Sequence, residues 1–154
     1  MIISAIVFLI GFLGLTIIPP GKIGIIERLG TFKYSYQGPK KKFLFPLIHQ
    51  VILIDLVQTI HMNRVKVKVN DDLYAIGIRV VFEVVDAKQF FYQRRKAMHI
   101  IKSDMVSHAE TYFMVTKNTS DLKALEEELE PILIDASASF GFRTIEFQVT
   151  HIGI

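Results

Sequence analysis

No cysteine occurs in the 154 residues, which excludes a disulfide framework, a thiol nucleophile and any cysteine-based zinc or iron–sulfur site. Also missing are a Gly-x-Ser-x-Gly elbow, a Walker lysine behind a glycine-rich loop, and a dinucleotide fingerprint; Gly21-Lys22-Ile23-Gly24 has a lysine but not the phosphate-cradling spacing. The five histidines (His49, His61, His99, His108, His151) are scattered, and no carboxylate completes a ligand pattern on the helix that carries His99 and His108. No catalytic residue, cofactor site or metal site is therefore expected, and the chain reads as a non-enzyme. Its formal charge of +3 is mild, and its cations are not interleaved with aromatic residues as a base-stacking surface would be. Nucleic acid is not an expected partner; an anionic lipid surface suits this charge better.

What is present in excess is apolar character: 51% hydrophobic residues and a mean hydropathy of +0.37. Much of it sits in IISAIVFLIGFLGLTII, residues 2–18, which carries no charge and only Ser4 and Thr16 as polar side chains. That length lies at the lower end of the membrane-spanning range of about 17–25 residues. A cleaved signal peptide would need a basic stretch before the run and a small-residue cleavage site after it, and a buried core helix would need a polar face; none is present. Residues 1–20 are thus expected to form an uncleaved transmembrane helix ended by Pro19-Pro20-Gly21, with a single further domain over 21–154. Lys22, Arg28, Lys33 and Lys40–Lys42 follow the run and no cation precedes it, so the positive-inside rule places a single-pass protein's domain in the cytoplasm.

Lys22–Gly30 and Thr31–Tyr36 read as a hairpin. Lys40, Lys41 and Lys42 then stand directly before Phe43, Phe45 and Pro46, a juxtaposition that suits a membrane interface, with lysines at headgroups and phenylalanines below them. A turn with solvated lysines ahead of a buried strand reads equally well from these residues. Val51–Val57 has strand composition. Arg64–Val69 alternates strictly, valines on one face and cations on the other, and Asn70-Asp71-Asp72 is the turn. In the returning strand Tyr74, Ile76, Ile78, Val80, Phe82 and Val84 share a face. For these to meet the odd-numbered valines, cross-strand partners must sum to an odd number such as 143, with a loop of two or four residues.

Asp86 is a good N-cap for a short helix through Phe90–Tyr92. From Arg94 to Val115 a helical stripe recurs as Ala97 or Met98, Ile101, Met105, Ala109 and Tyr112 with Phe113. Arg94-Arg95-Lys96 either opens that helix, and then invites an anionic partner, or lies inside a longer one begun at Asp86. A second helix, capped by Thr119, Ser120 or Asp121, carries Leu122, Leu125, Leu129, Ile132 or Leu133, Ala136 and Phe140, with Glu126, Glu127, Glu128 and Glu130 as a solvated flank. Pro131 is expected to kink or divide it and Gly141 to end it. Ile145, Phe147 and Val149 alternate as a closing strand. The order gives an α+β domain with a mostly antiparallel sheet and helices on one side.

Four stretches in this order, IPPGKIGIIERLGTF, GPKKKFLFPLIHQVILID, VKVNDDLYAIGIRVVFEVVDAKQFF and FGFRTIEFQVTHI, resemble the SPFH (band 7) superfamily of stomatins, prohibitins and flotillins, and stomatin-like slipins most closely. The resemblance covers residues 19–152. It implies a non-enzymatic, membrane-bound scaffold that self-associates laterally, organises lipid microdomains and regulates membrane proteins; the alternative is a monomeric adapter acting on one membrane protease or channel. The implied partners are the lipid bilayer, further copies of the chain or related SPFH subunits, and a membrane protease or channel. Gly38, Pro39, Phe43 and Pro46 match the family's membrane-facing hairpin, while Lys40 stands at its second glycine. No coiled coil follows the domain in this sequence, so self-association is expected to rest on contacts between the domains.

Overall fold

The computed structural model describes residues 14–69, 72–116 and 121–153, and it divides into two compact units at Leu56 and Val57. In the first unit, β1 (Leu15–Ile18) pairs antiparallel with β4 (Lys40–Phe43), while β2 (Lys22–Arg28) is the centre of a second antiparallel sheet between β3 (Thr31–Gln37) and β5 (His49–Asp55). The β2–β3 hairpin matches the sequence reading. So does strand composition at 51–55, although that strand starts two residues earlier and Val57 opens the next one.

The expected transmembrane helix does not extend through residues 15–20. Leu15–Ile18, expected as the last turn of a spanning helix, is a strand whose partners are Phe43, Lys42, Lys41 and Lys40, and Pro19-Pro20-Gly21 joins two strands rather than ending a helix. Residues 1–13 lie outside the described residues, and among the described residues no helix is long and apolar enough to cross a membrane. The single-pass topology and the cytoplasmic placement were argued from that helix, and no described residue supports them. The physical reason for the misreading is local: a uniformly apolar run has no period to separate strand from helix, and Thr16, Ile17 and Ile18 are β-branched. Ile18 is fully buried, and Gly21, at φ 72°, supplies the left-handed turn into β2.

The second unit is a three-stranded antiparallel sheet, β6 (Val57–Val69), β7 (Asp72–Val84) and β8 (Phe142–Gly153), with β7 in the centre, and two helices, α1 (Ala87–Thr116) and α2 (Leu122–Ala138). The cross-strand parity is odd as expected, but the sum is 141: Val65 faces Ile76, Val67 faces Tyr74 and Val69 faces Asp72, which leaves two residues between the strands. Before Val65 the register shifts, because Asn63 and Arg64 together oppose the single Gly77. This bulge turns the inward set from even residues (Ile60, Met62) to odd ones (Val65, Val67, Val69), and places Arg64 at φ 57°. β8 bulges too. Ile145 has no partner between Glu146 and Thr144, so it is 55% exposed while Phe147 and Val149 are buried and Phe142 packs inward beyond the bulge. Sequence alternation alone had put Ile145 on the core face.

Asp86 caps α1, its Oδ1 accepting from Gln89 N at 2.9 Å. The helix runs unbroken for 30 residues and Arg94-Arg95-Lys96 lie within it, so the longer-helix alternative holds. Its buried stripe is Ala87, Phe90, Ala97, Ile101, Met105, Ala109 and Phe113. Asp121 caps α2 through Ala124 N; Thr119 and Ser120 lie outside the described residues. Leu125, Leu129, Leu133 and Ser137 form its buried stripe, and Pro131, on the opposite solvated side, does not divide the helix. Gly141, at φ 77°, ends this passage: its carbonyl accepts from Val85 N and Asp86 N at 3.0 and 2.9 Å, and Gln89 Nε2 donates to Ser139 O at 2.6 Å, tying the start of α1 to the end of α2. Phe82, Phe90 and Phe142 meet at ring separations of 4.8–6.0 Å beneath that junction.

Candidate membrane-interface site

Large apolar side chains gather on the first unit's surface at one end of its strands. In the β1–β4 ribbon, directly opposed residues project to the same side, so Leu15 stands beside Phe43 and Ile17 beside Lys41. Leu15, Ile17 and Phe43 are all exposed, Phe43 by 57%. The chain then turns through Phe45–Ile48, where the Phe45 carbonyl accepts from Ile48 N at 3.1 Å and His49 N at 2.8 Å. Phe45 stacks edge-on against Phe43 at 6.4 Å, and Leu47 at the apex is 89% exposed. Leu44 points inward and is buried, its N–H donating to the Gly14 carbonyl at 2.7 Å. The neighbouring β2–β3 turn adds Leu29, 76% exposed, whose N–H donates to the Ile48 carbonyl at 3.0 Å.

The lysines divide by the same alternation. Lys41 shares the exposed side with Ile17 and Phe43. Lys40 and Lys42 point to the other side and lie over the ring of Tyr36, at 4.7 and 4.5 Å from its centre. Along an extended strand Lys40 is about 10 Å from Phe43. Of the residues singled out in the sequence, Phe43, Phe45 and Pro46 thus come together at an exposed tip, with Lys41 behind them on the same side. Lys40 and Lys42 belong to the Tyr36 side of the ribbon. Gly38 is held by close approach: a β-carbon there would collide with the Pro19 carbonyl oxygen.

Four apolar members of the tip went unnamed in the sequence reading. Leu15 and Ile17 lie within the apolar run that reads as a spanning helix; Leu47 directly follows Pro46; Leu29 carries a signal, a large apolar residue directly before the turn glycine of a hairpin. Leu29 sits at φ 51°, a backbone conformation unfavourable to a leucine, and exposes its side chain there. The stretch 1–13, without a charged side chain, joins the described structure at Gly14, beside Leu44 in this same tip.

Nothing at the tip is arranged for bond chemistry: it holds no carboxylate, and among the described residues no three His, Asp or Glu side chains are grouped to hold a metal ion. What it offers is an apolar surface with cations set behind it. Complete transfer of a phenylalanine or leucine side chain from water is worth roughly 1.5–3 kcal/mol, against about 1 kcal/mol for a lysine near an anionic surface, so the apolar side chains dominate any lipid contact made here. The family model described as SPFH domain / Band 7 family matches residues 16–154, beginning within β1. No curated protein matches the chain.

Proposed function

This chain belongs to the SPFH domain / Band 7 family, a family of membrane-associated scaffolds of the stomatin and prohibitin type that are generally not enzymes, and from that premise we propose that it is a scaffold seated on the bilayer surface by its apolar tip. The observation that carries this reading is the cluster Leu29, Phe43, Phe45 and Leu47, exposed at one end of the first unit with Lys41 one step behind. The phenylalanines and leucines enter the boundary between headgroups and acyl chains, and the lysines stay among the headgroups. Copies held in one plane then associate laterally, which organises the surrounding membrane and brings the scaffold to a membrane protease or channel.

The test is flotation of the full chain with vesicles of neutral and anionic lipid. Phe45→Ser with Leu47→Ser is expected to lower binding to both vesicle types at least tenfold. Lys41→Glu is expected to lower binding to anionic vesicles by a smaller factor. Binding unaffected by the apolar substitutions sinks the tip as the contact. Particle size on the vesicles distinguishes a self-associating scaffold from a monomeric adapter.

A further inference from the structure

The second unit carries opposite charge on its two outer layers. On β6, Arg64, Lys66 and Lys68 are exposed and the strand has no carboxylate. Lys66 and Lys68 stand on the face opposite the buried Val65, Val67 and Val69, away from the helices. The carboxylates elsewhere on that sheet face are engaged: Glu83 with Arg143, and Glu146 with Arg79 at 3.5 Å. Beside the cations the face is hollowed. The double bulge around Gly77 leaves an open depression of about 280 Å³ lined by Asn63, Arg64, Ala75, Gly77 and Thr150.

α2 has the complementary surface. It contains five carboxylates, Glu126, Glu127, Glu128, Glu130 and Asp135, against one cation, Lys123. With Leu125, Leu129, Leu133 and Ser137 buried, the helical repeat sends Glu127, Pro131 and Asp135 outward in one line with Glu128 beside it, and Glu127, Glu128, Pro131 and Asp135 are all exposed. Glu126 is engaged separately, accepting from Val149 N at 3.1 Å.

We propose that the acidic outer line of α2 in one copy docks on the β6 cation stripe and the Gly77 depression of the next copy. This rests on the self-associating scaffold reading above and names its contact. Charge complementarity selects the occupant: the acidic line fits the stripe of another copy, and the two surfaces lie on opposite layers of the unit, so no single copy satisfies itself. The contact is heterologous, each copy using different surfaces toward its two neighbours, and it propagates as a ring or an open row in the membrane plane. Its attraction is carried by solvated charges and weakens as salt rises.

Two full-length variants test it on vesicles or in mild detergent: Lys66→Glu with Lys68→Glu, and Glu127→Lys with Glu128→Lys. All four positions are exposed, and thermal unfolding by circular dichroism checks that each variant keeps the parental melting behaviour. Each variant alone is expected to self-associate about tenfold or more weakly than the parent, because like charges then face each other. Mixed in equal amounts, they are expected to regain assembly, since every contact becomes either the original pair or its mirror in charge. Should a variant melt early, Lys66→Gln with Lys68→Gln serves instead: alone it weakens assembly, and no mixture restores it fully. Parental assembly in every variant, or weakened variants whose mixture recovers nothing, overturns the docking while leaving the scaffold reading standing. Loss of vesicle binding by the lysine variant with particle size in detergent unchanged makes the stripe a lipid contact and also overturns it. A parent that stays monomeric at high surface density fails both readings.

Discussion

Ile18 is seated on Gly24: a β-carbon on residue 24 would lie 2.6 Å from Ile18 Cδ1 and 2.9 Å from its Cγ1. The fully buried isoleucine of β1 thereby locks the ribbon onto the central strand of the neighbouring sheet. Gly24→Ala is expected to cost about 1–3 kcal/mol by overpacking. Chemical denaturation read in a cycle with Ile18→Ala checks it, because the alanine at 24 should cost markedly less once the isoleucine is gone. Equal costs in both backgrounds would refute the contact.

Leu29 separates stability from function. Its φ of 51° is unfavourable to a branched apolar residue and its side chain has little cover. Leu29→Asn, which tolerates that conformation, is expected to raise stability by up to about 1 kcal/mol while reducing vesicle binding. A variant less stable than the parent would show that leucine packs more than its exposure implies.

The β8 bulge makes adjacent apolar positions unequal. Phe147→Ala removes a buried ring and is expected to cost about 3–5 kcal/mol, whereas Ile145→Ala is expected to stay within about 0.5 kcal/mol. Comparable losses at the two sites would mean that residue 145 faces the core.

Helix capping is testable at Asp86, whose carboxylate accepts from Gln89 N. Asp86→Ala is expected to lose about 1 kcal/mol, and Asp86→Asn only a fraction of that, since asparagine retains the acceptor. Melting temperatures of the two variants give the ordering.

The contrast between Phe147 and Ile145 shows how far the sequence carries. Period-two alternation gave the inward face of β7 and the odd parity of its pairing with β6, since a slip of one residue would turn the valines to water. Three-and-four spacing gave the α1 stripe almost residue by residue and the Leu125, Leu129 and Leu133 spine of α2, but not Ser137. It wrongly added Leu122, Ala136 and Phe140, which are not buried; the two aspartate caps were visible as residue types in place. Bulges are different. An extra residue at Asn63–Arg64 or Ile145 reverses facing beyond it, and its cost is borne by backbone pairing rather than by any signature side chain. Pro131 misled for a related reason: on the solvated side of α2 the carbonyl it leaves free has access to water, so the helix persists. At the apolar tip, Phe43, Phe45 and Pro46 could be grouped from the sequence because they lie within four consecutive positions. Leu15 and Leu29 reach the same place only through strand pairing.

Two glutamates have a consequence for crowding. Glu110 Oε1 accepts from the backbone N–H of Lys68 on β6 at 3.3 Å, and Glu126 Oε2 accepts from Val149 N on β8. β6 and β8 are the outer strands of their sheet, where unsatisfied amides invite another chain to extend the ladder. A helix-borne carboxylate already holds one such amide on each rim. A strand added to either rim would first have to displace that carboxylate, so sheet-to-sheet zippering is opposed at both edges while side-chain docking is left open.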